Sequence, residues 1–160
     1  MDNIIYWDTC VFISYITGQN RTPLEISAMD YIVSEIEANK AILVTSVVTI
    51  VETLYDLYEE AHRTKFTDLF DRPNVRKIEV TYPIAYKANE IRSNFKNIGI
   101  TRLRTADAIH LATAIWARVP EFHTFDGSGD QPGLLGFNGH DILGGLRIVV
   151  PPPPKQPSLF

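Results

Sequence analysis

Four acids carry the chemistry that this chain offers: Asp8, Glu52, Asp107 and Asp126. Asp8 interrupts the apolar stretch NIIYWDTCVFISYITG, between the strand-forming run Ile4–Trp7 and Val11–Ile13. A carboxylate at the edge of a core must be paired, or it takes a proton through a raised pKa. Two unit charges about 4 Å apart repel by about 4 kcal/mol at an effective dielectric of about 20, so several carboxylates brought together demand a cation or protonation. Oxygen donors with no histidine or cysteine beside them select Mg²⁺ or Mn²⁺ over zinc. A cation held this way activates water and stabilises charge on a leaving oxygen, which is phosphodiester chemistry. Thr9, Ser46, Thr105 and Thr124 each lie near one of the acids in sequence, and their hydroxyls are candidates for fixing carboxylate rotamers.

Strand and helix signals alternate along the chain, the pattern of an α/β domain with a parallel sheet. Ile4–Trp7 reads as the first strand. Thr22, Pro23 and Glu25 form a capping box with proline at the first helical position, and Met29, Ile32, Val33 and Ile36 supply that helix's apolar face. AILVTS (41–46) reads as a buried strand. Val47 to about Ala61 reads as a helix with apolar residues on two faces, and so as substantially buried. Phe66, Leu69 and Phe70 mark a second helical piece, ended before Pro73. VRKIEV (75–80) alternates as a strand, and Ile84, Ala88, Ile91 and Phe95 mark a helix stripe closed near Gly99. RTADAIHLATAIWARV is a helix stopped by Pro120. EFHTF and LRIVV read as late strands, separated by a glycine-rich loop over 127–145.

This order brings the acids to one edge. In an open parallel sheet the ligand crevice lies outside the carboxyl ends of the strands. Asp8 and Ser46 close strands, and Asp126 follows one. Glu52 lies on a helix leaving the same edge, and Asp107 sits in the first turn of its helix, where the dipole favours an anion. Taken singly, each acid also has an ordinary reading: Asp8 and Asp107 as caps, Glu52 as a solvated helix residue, Asp126 as a turn residue before Gly127. Their coincidence at one edge argues for a site.

With 160 residues and a net charge of −4, the chain fits a single domain over 1–150, followed by a proline-rich tail, PPPPKQPSLF, over 151–160. No apolar run is long enough to span a membrane. The one cysteine, Cys10, fits a reducing, cytoplasmic setting. The acidic balance excludes general coating of nucleic acid but not a local basic face. Such a face is present: Lys87, Arg92, Lys96, Arg102 and Arg104 stand against Glu90 alone. Arg102 and Arg104 precede the Asp107 helix and are the expected contacts for a phosphate backbone, whereas Lys87 and Lys96 fit a solvated helix face. His110 reads as a helix histidine packed under the sheet rather than a ligand, and His62, His123 and His140 as surface or loop residues.

The segments IIYWDTCVFISYI, VTSVVTIVETLYDL, RTADAIHLATAI and FHTFDGSGD resemble, in order and spacing, the four acidic motifs of PIN-domain nucleases, and most of all the VapC-type toxins of toxin–antitoxin pairs. The resemblance implies a three-layer α/β/α sandwich with a central, mostly parallel sheet. It also implies Mg²⁺- or Mn²⁺-dependent RNA cleavage, and often a homodimer sequestered by an antitoxin. The motif acids correspond to Asp8, Glu52, Asp107 and Asp126, and the accompanying hydroxyls to Thr9, Ser46 and Thr124. The long loop GSGDQPGLLGFNGHDILGG departs from the family pattern and leaves Asp130 as a competitor for the fourth acid. Two other readings bear on function. An aspartyl-phosphate phosphatase needs a second aspartate where Cys10 stands. A catalytically silent PIN-like module would bind RNA or protein without cutting.

Overall fold

The structure, a computed structural model, describes residues 3–154. Five strands form one sheet: β1 (Asn3–Trp7), β2 (Ala41–Ser46), β3 (Val75–Ile78), β4 (Glu121–His123) and β5 (Arg147–Val149). All four pairings are parallel, in the order β3-β2-β1-β4-β5. Six helices surround them: α1 (Thr9–Thr17), α2 (Pro23–Glu37), α3 (Val48–Asp56), α4 (Glu60–Phe70), α5 (Tyr82–Asn97) and α6 (Thr105–Trp116). Two short 3₁₀ turns, Leu134–Phe137 and Asp141–Leu143, sit within the glycine-rich loop.

The strand register sorts the side chains into two cores. Tyr6 pairs with Val44 on one side and Phe122 on the other, and Phe122 pairs with Ile148. This row faces α5 and α6, where it packs with Ile84, Ile91, Phe95, Ala108 and Leu111. Ile5, Trp7, Leu43 and Val75 alternate to the other face and pack on α1, α2 and α4 through Phe12, Met29, Ile36, Phe66 and Phe70. Both faces are therefore covered, which is why the strands are almost continuously apolar. The Tyr6 and Phe122 rings stack at 4.9 Å, and Phe12 meets Trp7 edge-on at 5.4 Å. Aromatic pairs of this kind add about 0.5–1.5 kcal/mol beyond the area they bury. The result is the expected three-layer α/β/α sandwich. Among the described residues, no helix is long and apolar enough to cross a membrane.

The α2 capping box forms as the sequence requires: Glu25 N–H donates to Thr22 Oγ1, and Thr22 N–H to Glu25 Oε2 at 2.8 Å. The next helical expectation needs correction. The helix read from Val47 to about Ala61 divides: α3 ends at Asp56, Leu57 is extended and buried, and α4 begins at Glu60. Nor is α3 substantially buried. Its inward face is Thr49 and Thr53, while Val51 and Tyr55 are 74% and 78% exposed, as is Tyr58 just past its end at 82%. Thr49 can face inward because its hydroxyl hydrogen-bonds that of Thr45 at 2.8 Å. His123 also departs from the sequence reading, since it ends β4 and is buried. Of the proline-rich segment, Pro151 is buried and 152–154 are exposed. Residues 155–160 of the expected tail lie outside the described residues.

Strand order fixes where a ligand can sit. The chain steps outward from β1 through β2 to β3, then returns to β4 on the opposite side of β1. The connections leaving β1 and β4 thus part in opposite directions, opening a crevice at their carboxyl ends.

Candidate active site

Asp8 is the first residue after β1, at this crevice. It accepts the Val11 N–H at its Oδ1 at 3.2 Å, so it does cap α1. It also lines a cleft of about 340 Å³ together with Glu52, Asp107 and Asp126. The cap and cleft readings of this residue therefore coexist. The Cys10 thiol donates to the same Oδ1 at 2.9 Å. Burial raises the Asp8 carboxyl above its ordinary range, against the opposing hydrogen bonds of Cys10 and Thr124. Burial, together with the Asp8 charge, also pushes the Cys10 thiol well up, so Cys10 serves here as a donor and not as a nucleophile.

Glu52 is held on one side only. Its Oε2 accepts the Thr9 hydroxyl at 2.6 Å and His110 Nε2 at 2.9 Å. His110 is buried, and its Nδ1 meets the Tyr6 hydroxyl at 2.7 Å. Burial holds the Tyr6 phenol well above its ordinary pKa, so it stays protonated and donates to Nδ1. That leaves the Nε2 proton for Glu52. Burial pushes the Glu52 carboxyl up, but the His110 and Thr9 hydrogen bonds and the nearby positive charge bring it below the usual range. The expectation that His110 packs under the sheet is thus half the story, because the same ring also orients a cleft carboxylate.

Asp107 lies in the first turn of α6, nearly buried, and Arg104 grips both its oxygens: Nε to Oδ2 at 2.8 Å and a terminal nitrogen to Oδ1 at 3.1 Å. The Asp107 hydrogen bonds and charge raise the Arg104 pKa, with further support from Asp126 and Glu52. Arg104 itself is largely exposed, so this cation can be exchanged for another.

Asp126 is fixed by the glycine-rich loop. Its Oδ2 accepts the Leu134 N–H at 3.0 Å, and its carbonyl accepts the Leu135 N–H. That return path needs Gly133, where an added Cβ would clash with Asp126 Oδ1, and Gly127, whose φ is +94°. Asp130 is exposed and is not among the residues lining the cleft.

Of the four hydroxyls expected to steady the acids, Thr9 touches Glu52, and Thr124 accepts the Asp126 N–H at 3.0 Å. Ser46 is buried beside the start of α3, where it accepts the Val48 N–H, and Thr105 is exposed; neither lines the cleft. Arg102 stands outside the cleft, its guanidinium 4.9 Å from the Phe137 ring centroid. Sequence reasoning missed Arg21 and Asp56 in the cleft lining. Arg21 lies over the Phe125 ring at 4.0 Å and hydrogen-bonds Ser14. Nothing in its local sequence marks it, since it reads as the residue before a helix cap.

Five acids and two guanidiniums face this cleft. Among the described residues, no three His, Cys, Asp or Glu side chains already stand together as a metal cluster. The donor set nonetheless fits a hard divalent cation: all four motif acids offer oxygen, Glu52 Oε1 makes no hydrogen bond among the described residues, and the cleft's net charge is negative.

An open parallel sheet with an acidic cleft at its switch point defines the class of protein. The PIN domain family profile matches residues 5–130, and the chain belongs to that family. Solved structures share the fold. The VapBC2 complex from Rickettsia felis bound to a promoter DNA fragment superposes with a TM-score of 0.66 at 14% identity, covering 92% of this chain and 98% of that one. A toxin–antitoxin complex from Klebsiella pneumoniae gives 0.59 at 22% identity, covering 93% and 98%. FitAcB from Neisseria gonorrhoeae gives 0.59 at 21%, covering 92% and 97%. A search of curated proteins finds no match.

Proposed function

We propose that this protein is a divalent-metal-dependent endoribonuclease and the toxin of a toxin–antitoxin pair, acting in the cytoplasm. The observation that carries the reading is the convergence of Asp8, Glu52, Asp107 and Asp126, from four separate segments, on one cleft at the sheet switch point. Mg²⁺ or Mn²⁺ would be held by these four acids and, when bound, supplies an activated water and neutralises charge on the phosphate. The protein's own groups prepare the site. Thr9 and His110 lock one oxygen of Glu52 and leave the other free. Cys10 and the Val11 N–H fix Asp8, and the Leu134 N–H fixes Asp126. Arg104 balances the acids until it is exchanged, after which its guanidinium is placed for a substrate phosphate beside the cleft.

The toxin reading draws on the solved structures that share this fold, one of them a toxin–antitoxin complex and another VapBC2 bound to promoter DNA. It carries two partners with it: a cognate antitoxin, and a second copy of this chain over the exposed apolar residues of α3. The competing reading, a silent PIN-like binding module, draws on the Arg104–Asp107 pair, which occupies both oxygens of one acid. One experiment separates them: cleavage of single-stranded RNA with Mn²⁺, Mg²⁺ or chelator, by wild type and Asp107→Asn. Metal-dependent cutting lost in the variant supports the nuclease. RNA binding with no cutting under any metal supports the silent module.

A further inference from the structure

We propose that a groove along α5 is the binding path for the single-stranded RNA that flanks the scissile bond; this rests on the nuclease reading and extends it to substrate contacts. A groove of about 390 Å³ is lined by Asn89, Arg92, Ser93, Lys96 and Thr101, with Ile100 and Leu103, and by no acid, in a chain of net charge −4. It is linked to the acidic cleft through shared lining residues. A depression of about 280 Å³ lies between them, sharing Leu103 with the groove and Arg104, Asp107 and Asp126 with the cleft. The cations along this course therefore run Arg104, Arg102, then Arg92 and Lys96.

Three of them are uncommitted. Among the described residues Arg92, Lys96 and Arg102 form no ion pair, whereas Lys87 pairs with Glu90 at 2.9 Å. Two are nevertheless positioned. Arg92 Nε donates to the Leu103 carbonyl at 3.2 Å, which leaves its terminal nitrogens available. Arg102 lies over Phe137, whose ring is steadied by Phe95 at 4.7 Å between centroids. Lys96, a solvated helix residue by sequence, thus belongs to a lined groove. Ordered cations beside a polar groove fit a chain of phosphates. An acidic protein segment fits less well, because the same course leads towards a cleft whose acids repel carboxylates.

The test compares wild type, Arg92→Gln/Lys96→Gln and the charge-keeping Arg92→Lys/Lys96→Arg. Anisotropy in chelator reads binding of a long single-stranded RNA, a trinucleotide and polyglutamate, and Mn²⁺ assays read cleavage. The neutral variant should bind the long RNA roughly tenfold more weakly at low salt, with a salt slope shallower by about 1.4 for two lost phosphate contacts on a single strand. Its trinucleotide binding should match wild type, its melting temperature should fall by no more than the lost Arg92–Leu103 hydrogen bond accounts for, and the charge-keeping variant should bind as wild type does. Unchanged affinity for long RNA overturns the path, as does an equal loss for the trinucleotide. Loss confined to polyglutamate also overturns it, in favour of an acidic protein partner. If wild type cuts no RNA with any metal, the nuclease reading fails, while the length-dependent binding still decides whether the groove takes RNA.

Discussion

At the scale of single residues, Asp8 and Arg104 show how the cleft survives its own charge. Asp8 is anchored by Val11 and Cys10, and its carboxyl is raised by burial. A raised folded-state value means that its contribution to stability is fully present below the unfolded value of about 3.9 and is lost as pH rises through the folded value. Asp8→Asn keeps the cap, since asparagine caps as well as aspartate, and removes the buried charge. In chelator at neutral pH the variant should therefore melt at or above wild type, and the gap should close as pH falls towards 4, about the unfolded value. RNA cleavage with Mn²⁺ should meanwhile fall by orders of magnitude. Full cleavage by the variant would remove Asp8 from the metal site, and a large loss of metal-free stability would make it structural. Glu52 has the opposite sign: its lowered carboxyl adds stability above its unfolded value and loses it on acidification. Arg104→Gln frees both Asp107 oxygens, so calorimetry should show tighter Mn²⁺ binding and a lower metal-free melting temperature. Weaker Mn²⁺ binding would mean that Arg104 does not compete with the cation.

At the scale of elements, the glycine-rich loop and α3 carry the consequences. The loop returns over Asp126 because Gly133 has no Cβ, whereas Gly129 has open space around it. Gly133→Ala should lower cleavage sharply and Gly129→Ala should not; Asp126→Asn should likewise damage activity more than Asp130→Asn. The reverse order in a cleavage assay would move the fourth acid into the loop. Helix α3 turns two threonines inward and leaves Val51 and Tyr55 in solvent, with Tyr58 just beyond its end, an exposed apolar surface that a single chain does not cover. Val51→Glu/Tyr55→Glu should convert a dimer to a monomer in sedimentation, while changing subunit stability by no more than about 0.5 kcal/mol per site. A dimer that persists would place the contact elsewhere.

At the scale of the whole molecule, a cation bound by acids from four segments should tie the fold together. At a hundredfold excess over Kd, binding adds about 2.7 kcal/mol, or roughly 5–10 °C in melting temperature for a chain of this size. Scanning calorimetry with Mn²⁺ and then chelator reads this directly. Asp107→Asn should lose most of the shift, and indifference of the wild type would refute the metal site. Much of this architecture is written locally. Period-two and helical apolar patterns, the Thr22 box and the stripe from Ile84 to Phe95 specify elements whose hydrogen bonds and buried faces lie within a few residues of one another. Asp8, Asp107 and Asp126, too, are legible as strand-end and first-turn residues, and Glu52 as a helix residue leaving the same edge. What local pattern cannot carry is which face of an element finds a neighbour. The apolar residues of α3 read as core in sequence, yet the face that packs inward is Thr49 and Thr53, with the Thr49 hydroxyl bonded to that of Thr45. The union of Tyr6, His110, Thr9 and Glu52, the Arg104 grip on Asp107 and the entry of Arg21 into the cleft join residues through space. These arrangements depend on β1 standing between β2 and β4, so they were decided by the tertiary structure, because a side chain's partner is set by the strand order that brings distant segments to one edge.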